Sequence, residues 1–423
     1  MSESIRPSTS SDALSAAADT TEATVTVVGI GADGWSGLPP ARQKRVIAAD
    51  VVVGGARHLA LVPPNSGQRR EPWPSPLRER LAAFMAGFGT ANVVALASGD
   101  PLVSGIGSTL IELLGADRVR VLPALSSVAL ARAELGWAAE SCAVVSVVGR
   151  DVSLVLRELA PGRRVLVLSS DESTPAQVAA LLDAAGYGAS AMHVLGDLGS
   201  AEFSRIDGEA ATWSADAPHA PRLNVIGLEL VGPPRGGWVA GLPDSAFEHD
   251  GQLTKRDLRA SALARLAPVP GEHLWDVGAG AGSVGIEWMR AHPSCTTTAF
   301  ESNPERAERI SRNASNLGVP GLHVVEGTAP EALRGAREPS AIFVGGGATR
   351  PGVMDHCLSA LPVGGRLVVH GVTVETERLL GELHADHGGE LTRLAVEVAA
   401  PIGSYTGWTP MRTVMQWAFT RGA

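Results

Sequence analysis

At 423 residues the chain is long enough for two or three domains, each able to bury its own core. Apolar residues make up 45% and charged residues 19%, and no uninterrupted apolar run is long enough to span a bilayer, so a membrane partner is not expected. A net charge of −9 disfavours a broad nucleic-acid footprint, which needs clustered Lys and Arg.

Residues 1–22 are small, polar and acidic, and read as a flexible tail, not a signal peptide. A strand from Thr24 to Val28 then runs into Gly29-Ile30-Gly31-Ala32-Asp33-Gly34. Segments alternate in type from there: Pro40–Ala49, Val51–Val53, Leu77–Gly87, Asn92–Ala97, Gly107–Leu114, Val119–Leu122, Ser126–Leu135, Arg164–Leu168 and Pro175–Ala185. Strand–helix alternation of this kind argues for an α/β domain over 23–232. Near Ala201–Thr212 and Leu223–Leu230 the helices drop out, so the domain is expected to end in antiparallel strands. Gly232-Pro233-Pro234-Arg235-Gly236-Gly237 and Gly241-Leu242-Pro243 are clusters of breakers that mark 233–246 as a linker. The second domain, 247–423, is predicted to hold helices at Lys255–Leu266, Pro304–Asn316, Pro351–Leu361 and Thr376–His387. Its strands are predicted at His323–Val325, Ala341–Val344 and Arg366–His370, closed by two more at Thr392–Ala399 and Thr413–Phe419.

The most informative stretch runs from His273 to Glu287: an apolar strand breaks into glycines at Gly278, Gly280 and Gly282, then opens a helix. Glycine lets the backbone turn sharply and lets a ligand approach the peptide groups. The new helix aims free N–H groups and a positive dipole end at that ligand. Glu301 ends the next apolar run, where a carboxylate can accept hydrogen bonds from two ribose hydroxyls. A nucleoside cofactor is therefore expected, and two compete. Gly280 to Gly285 satisfies G-x-G-x-x-G and suggests NAD. The fuller pattern, Asp276-x-Gly278-x-Gly280-x-Gly282 with Glu301 downstream, resembles the first motif of Rossmann-like S-adenosylmethionine-dependent methyltransferases. That resemblance places Gly278, Ala279, Gly280, Ala281 and Gly282 on the cofactor and Glu301 on its ribose.

The first glycine loop, Gly29 to Gly34, also fits a dinucleotide fingerprint, but Asp50 precedes the second strand instead of ending it. Ser98-Gly99-Asp100-Pro101-Leu102-Val103-Ser104-Gly105-Ile106-Gly107 resembles the S-G-D-P-x-x-x-G-x-G loop of the tetrapyrrole methylases, and Pro123 to Ser127 resembles their following loop. The resemblance implies two α/β halves with S-adenosylmethionine in the cleft between them. It puts Ser98, Gly99, Asp100, Val103, Ser126, Ser127, Leu168 and Ser169 on the cofactor. It turns the first loop, with Gly29 and Gly31, towards the substrate. A helix N-cap is the plainer role for Ser126 and Ser127.

The second domain's entry, Gly251 to Arg259, resembles the G-x-x-T-K-x-x-x-R entry of the precorrin methyltransferases that also decarboxylate their substrate. Glu326 to Leu333 resembles that family's next loop, with Thr328 where aspartate is usual, and Ile342 to Gly347 its fourth strand and glycine turn. These matches imply cofactor contacts at Thr254, Gly327, Thr328 and Ala329. Substrate contacts are expected at Gly345 and Gly346, and Arg256, Arg259 and Arg350 are candidates for binding substrate carboxylates, with surface solvation the plainer role for any one of them. A tetrapyrrole methylase fused to such a domain resembles the bifunctional precorrin-6Y methyltransferases of aerobic cobalamin synthesis. The implied activity is methylation of carbons 5 and 15 with loss of the ring C acetate carboxyl, giving precorrin-8. The C-terminal domain would act at carbon 15 and decarboxylate, the N-terminal domain at carbon 5, each with its own S-adenosylmethionine.

Such chemistry needs alignment of an electron-rich carbon with the methyl group, and no Ser-His-Asp constellation is present. Scattered Cys142, Cys295 and Cys357 form neither a disulfide framework nor a zinc cluster, which fits the cytoplasm and no metal. His384 and His387 stand at i, i+3 on a helix without a partner motif and read as a solvated face. Trp408 and Trp417 read as residues buried by closing strands. The expected partner is a small tetrapyrrole, with no nucleic acid and no membrane, and self-association is expected. An RNA methyltransferase, an NAD-dependent oxidoreductase and a non-catalytic nucleotide-binding module are the alternatives.

Overall fold

Runs of β-branched residues decide the architecture. Val25–Ile30, Val51–Gly54 and Val93–Ser98 are buried along almost their whole length, which a strand achieves only when helices cover both faces of its sheet. A computed structural model describes residues 25–216, 219–234 and 237–422. The expected 1–22 tail lies outside those residues. The first sheet has five parallel strands in the order Arg69–Pro72, Val51–Gly54, Val93–Ser98, Val25–Ile30, Val119–Leu122.

The second half of this domain is a mixed sheet. Cys142–Ser146 and Arg164–Leu168 run parallel, and Asn224–Glu229 lies antiparallel between Arg164–Leu168 and Ala191–Gly196, with Ser204–Glu209 at the edge. The antiparallel ending is thus present. The helix-free stretch expected near Ala201–Thr212 is not: after Ser204–Glu209 the chain turns into a helix at Ala210–Asp216. Ala210 and Trp213 are buried in the core of this half, and that anchoring outweighs the weak local signal.

The C-terminal domain is a seven-stranded sheet in the order His323–Glu326, Thr296–Glu301, His273–Val277, Ala341–Val344, Arg366–Gly371, Val414–Thr420, Glu390–Leu394. The first five are parallel and the last two antiparallel. Strand order reverses at His273–Val277, and open α/β sheets bind ligands beyond the carboxyl ends at such a point. Ser283–Ala291 and Pro304–Asn316 cover one face together with Arg256–Leu266.

Two expectations change here. The predicted closing strand at Thr392–Ala399 is two strands: Glu390–Leu394 closes the sheet, while Glu397–Ile402 pairs only with Tyr405–Pro410 in a separate hairpin. Trp417 is fully buried, but Trp408 rides the hairpin and is 71% exposed. The expected linker 233–246 is also partly structural. Leu242 packs into the C-terminal core, and the Gly241 and Leu242 N–H groups donate to the buried Glu287 carboxylate.

Candidate functional site

The turn leaving His273–Val277 is tied down by backbone bonds. The N–H groups of Gly278 and Ala279 donate to Phe300 O at 3.0 and 3.2 Å, and Gly280 N–H donates to the Glu301 carboxylate at 2.8 Å. Gly280 has φ +60, and a Cβ there would lie 2.8 Å from Gln252 O, so only glycine fits between the two segments. Gly282 also has positive φ, +75, but its missing side chain makes room for Ile310 of the helix behind.

These loops wall a cavity of about 630 Å³ at the carboxyl ends of the strands. Thr254, Gly278, Ala279, Gly280, Glu301, Gly327, Thr328, Ala329, Gly345, Gly346 and Arg350 all line it, so the structure brings most of the second-domain candidates together. Ala281 and Gly282 are corrections. Ala281 is buried with its carbonyl accepting from Asn313, and Gly282 packs on Ile310, so both support the loop from behind.

The two acids divide the work. Glu301 accepts from Gly280 N–H on one oxygen and from Asn303 N–H at 3.0 Å on the other. Each carboxylate oxygen can accept more than one hydrogen bond, so Glu301 keeps capacity for two hydroxyl donors in the cavity. Asp276 is sealed in the interior. One of its oxygens accepts from Gly285 N–H at 2.9 Å, capping the helix that follows the glycine loop, and the other has no partner among the described residues. Burial pushes the Asp276 pKa up to about 7, against the lowering effect of that N–H.

The arginines divide differently from the sequence expectation. Arg259 is fully buried and does not face the cavity. Its Nε donates to Glu287 at 2.6 Å, its other nitrogens reach Asp244 and the carbonyls of Leu242 and Thr254, and its guanidinium lies 4.8 Å from the Phe247 ring. It clamps the linker. Arg256 is exposed on the same helix and lies outside the cavity lining. The cavity also holds Lys255 of the entry motif, and residues that the sequence did not single out, among them His370, Arg306 and Arg412. Among the described residues no cluster of three or more His, Cys, Asp or Glu could hold a metal ion.

In the N-terminal domain the candidate loops meet where the halves join. Gly99 N–H donates to Ile30 O, and Gly99 O accepts from Ala124 N–H, stitching the first, Ser98 and Pro123 loops together. Val103 packs on a cluster holding Leu168, Leu166, Val225 and Val128, so that Ser98–Gly107 is fastened to the second half. Asp100 accepts from Leu102 N–H, Ser169 donates to Asn224, and Ser126 caps the helix Ser127–Leu135. Gly29 has no room for a side chain, since a Cβ there would fall 1.9 Å from Gly99 O, and a Cβ on Gly31 would fall 2.4 Å from the Asp33 carboxylate at the end of its side chain. Ser98 Oγ lies 3.0 Å from both His58 Nε2 and Arg57 Nη2, and burial, then the Arg57 charge, pushes the His58 pKa down to about 4.

Comparison with known proteins agrees with this two-part layout. A family model for tetrapyrrole (corrin/porphyrin) methylases matches residues 24–212, and one described as a precorrin methyltransferase domain matches 245–421. A precorrin-6Y C(5,15)-methyltransferase [decarboxylating] from Sinorhizobium sp is 46% identical over 402 residues, covering 94% of this chain and 96% of its own. One of the same description from Mycobacterium tuberculosis (strain CDC 1551 / Oshkosh) is 43% identical, over 94% of this chain and all of its own. The chain belongs to the decarboxylating precorrin-6Y C(5,15)-methyltransferase family. It is thus a C-methyltransferase of cobalamin biosynthesis, and methyltransferases of this family use S-adenosylmethionine. The RNA methyltransferase, NAD-dependent and non-catalytic alternatives fall away. A crystal structure of the C-terminal domain of the Rhodobacter capsulatus precorrin-6Y C5,15-methyltransferase is 43% identical and covers 44% of this chain and all of that one, with a TM-score of 0.42. Among the described residues no helix is long and apolar enough to cross a membrane.

Proposed function

We propose that this chain holds one S-adenosylmethionine site in each domain and acts on precorrin-6Y at both, giving precorrin-8. The C-terminal domain methylates carbon 15 and releases the ring C acetate carboxyl as carbon dioxide; the N-terminal domain methylates carbon 5. The observation that carries this reading is the 630 Å³ cavity, in which the Gly280–Glu301 cradle shares one space with Lys255, Arg350 and Arg412. Acceptors for ribose hydroxyls and cations for an acidic macrocycle stand together there.

S-adenosylmethionine supplies an electrophilic methyl group on a sulfonium sulfur. The chain's residues supply alignment. Glu301 and the glycine loop fix the nucleoside, the turn at Gly345 and Gly346 leaves room for a flat ring because it carries no side chains, and the cations bind peripheral carboxylates. Loss of carbon dioxide leaves an electron pair, which the conjugated macrocycle accepts. In the N-terminal domain the stitched loops at Gly99 and Ala124, with Ser98, Asp100, Val103 and Ser127 beside them, form the second site. Leu168 and Ser169 bring the second half to it. Arg42, whose Nη1 donates to Pro123 O at 2.7 Å, holds the loop that precedes Ser126. The reading extends to a self-associating cytoplasmic enzyme whose partner is the small tetrapyrrole, without nucleic acid or membrane.

The test is turnover of the full chain with precorrin-6Y and isotopically labelled S-adenosylmethionine. The wild type gains two methyl groups and loses one carbon dioxide. Glu301→Ala lowers methylation at carbon 15 and carbon dioxide release together, by about tenfold or more at sub-saturating S-adenosylmethionine. Glu301→Ala that still methylates carbon 15 at the wild-type rate contradicts the division of labour.

A further inference from the structure

Among the polar groups that line the cavity, His370 belongs to neither the cofactor cradle nor the cationic residues. His370 lines it near the carboxyl end of Arg366–Gly371, directly opposite Gln416 on the antiparallel neighbour. Gln416 is fully buried, and its amide is oriented by what surrounds it. A guanidinium can only donate, so the Gln416 oxygen faces Arg265, with Nε at 3.0 Å and Nη1 at 3.2 Å. The Gln416 nitrogen is thereby turned to His370 and donates to Nε2 at 2.9 Å. An imidazole nitrogen that accepts a hydrogen bond carries no proton. His370 therefore has its single proton on Nδ1, which has no protein partner among the described residues. The Phe343 ring meets the imidazole edge to face, with centroids 5.1 Å apart, and limits its rotation. Burial pushes its pKa down to about 4, and the Arg265 charge acts in the same direction, so the ring stays neutral.

A fixed, neutral N–H donor suits one part of this chemistry better than another. It is a poor acid for protonating the product, because giving up the proton would leave an imidazolate, a far stronger base than the neutral ring. It can orient a carboxylate without neutralising it. That distinction matters in a decarboxylation. The bond between the methylene and carboxyl carbons breaks, its electron pair moves into the macrocycle, carbon dioxide leaves, and the methylene carbon then takes a proton from water. Negative charge therefore leaves the carboxylate in the transition state. A cation paired with that group would stabilise the ground state more than the transition state, whereas a neutral donor aligns the bond with less of that penalty. We propose that His370, set in the Nδ1–H form by the Arg265–Gln416 relay, is the residue that orients the carboxylate to be lost, while the cavity's arginines hold carboxylates that are retained. This rests on the functional reading above and adds to it a specificity-determining residue.

The two amide replacements of histidine separate the donor from mere bulk. The side-chain nitrogen of asparagine falls where Nδ1 stood, and that of glutamine where Nε2 stood. The experiment uses the full chain with precorrin-6Y carrying ¹³C in the ring C acetate carboxyl, and counts labelled carbon dioxide released per methyl group added at carbon 15. His370→Ala is expected to lower that ratio at least tenfold while S-adenosylhomocysteine affinity stays within about twofold. His370→Asn is expected to restore the ratio to within about threefold of wild type, and His370→Gln is not. An unchanged ratio in His370→Ala, or His370→Asn no better than His370→Ala, overturns the role given to His370. A wild-type chain that adds no methyl group at carbon 15 overturns the functional reading itself, and this inference with it.

Discussion

The backbone N–H of Gly280 donates to the carboxylate of Glu301 at 2.8 Å, across 21 residues of sequence. One acid therefore serves two purposes. It fastens the glycine loop to the end of the neighbouring strand, and its remaining lone pairs are the acceptors offered to a ribose. A hydrogen bond to a charged group contributes about 1.5–3 kcal/mol. Glu301→Ala should therefore weaken S-adenosylhomocysteine binding at the C-terminal site roughly tenfold or more, measured by calorimetry. Unaltered affinity there would mean that Glu301 is only a structural tie.

The neighbouring glycine makes a different prediction. Gly282 has φ +75, and an added Cβ would sit 2.7 Å from Ile310 Cγ2, on the side away from the cavity. Left-handed backbone costs about 1–2 kcal/mol for a residue with a side chain, and overpacking adds about 1–3 kcal/mol. Gly282→Ala should lower the denaturant midpoint accordingly, and once folded should bind S-adenosylhomocysteine within about twofold of wild type. A fully stable variant that no longer binds would place Gly282 on the ligand.

What the sequence made legible follows from locality. The strand His273–Val277, its glycines and Glu301 lie within 30 residues of each other, so spacing alone reports their geometry. Long, valine-rich strands were equally readable, because full burial leaves a continuous apolar run. Residues brought in from far away were not. His370 meets Gln416 only through antiparallel pairing, and Arg412 reaches the cavity from a segment well over 100 residues beyond the glycine loop. Arg259 was only a candidate for the cleft, and its pairing with Glu287 was not readable because the two stand on different helices with no motif spacing to link them. The hairpin carrying Trp408 was missed because an exposed two-stranded ribbon has no buried face to imprint a pattern.

Arg259 and Arg256 form a matched pair for testing that correction. Removing one member of a buried ion pair strands the other charge and costs about 3–5 kcal/mol. Arg259→Met should destabilise the C-terminal domain by that order in a denaturant titration, since the buried Glu287 loses its cation and keeps the Gly241 and Leu242 N–H groups, while the Leu242 carbonyl loses the guanidinium donor. Arg256→Ala, on the exposed side of the helix, should stay within about 0.5 kcal/mol of wild type. Equal, small effects would argue that Arg259 faces substrate after all.

Asp276 predicts an unusual pH dependence. Its pKa is raised by burial from 3.8 to about 7 on folding, with the nearby Glu301 charge pushing the same way. For a group raised in the folded state, its contribution is fully present below the unfolded value and lost as pH rises towards the folded one. Wild-type stability should therefore fall relative to Asp276→Asn as pH rises from about 4 to 7, and the gap should level off above that. Asparagine keeps an oxygen for Gly285 N–H. The buried histidines titrate alike in both proteins and cancel in the difference. A gap between the two melting curves that is flat across this range would show that Asp276 is ionised throughout.

The most direct measurement is a calorimetric titration of the intact chain with S-adenosylhomocysteine. Saturation is expected at two equivalents in the wild type and at one equivalent in Glu301→Ala, under conditions where only the weakened C-terminal site is left empty. Saturation of the wild type at a single equivalent would contradict the two-site reading.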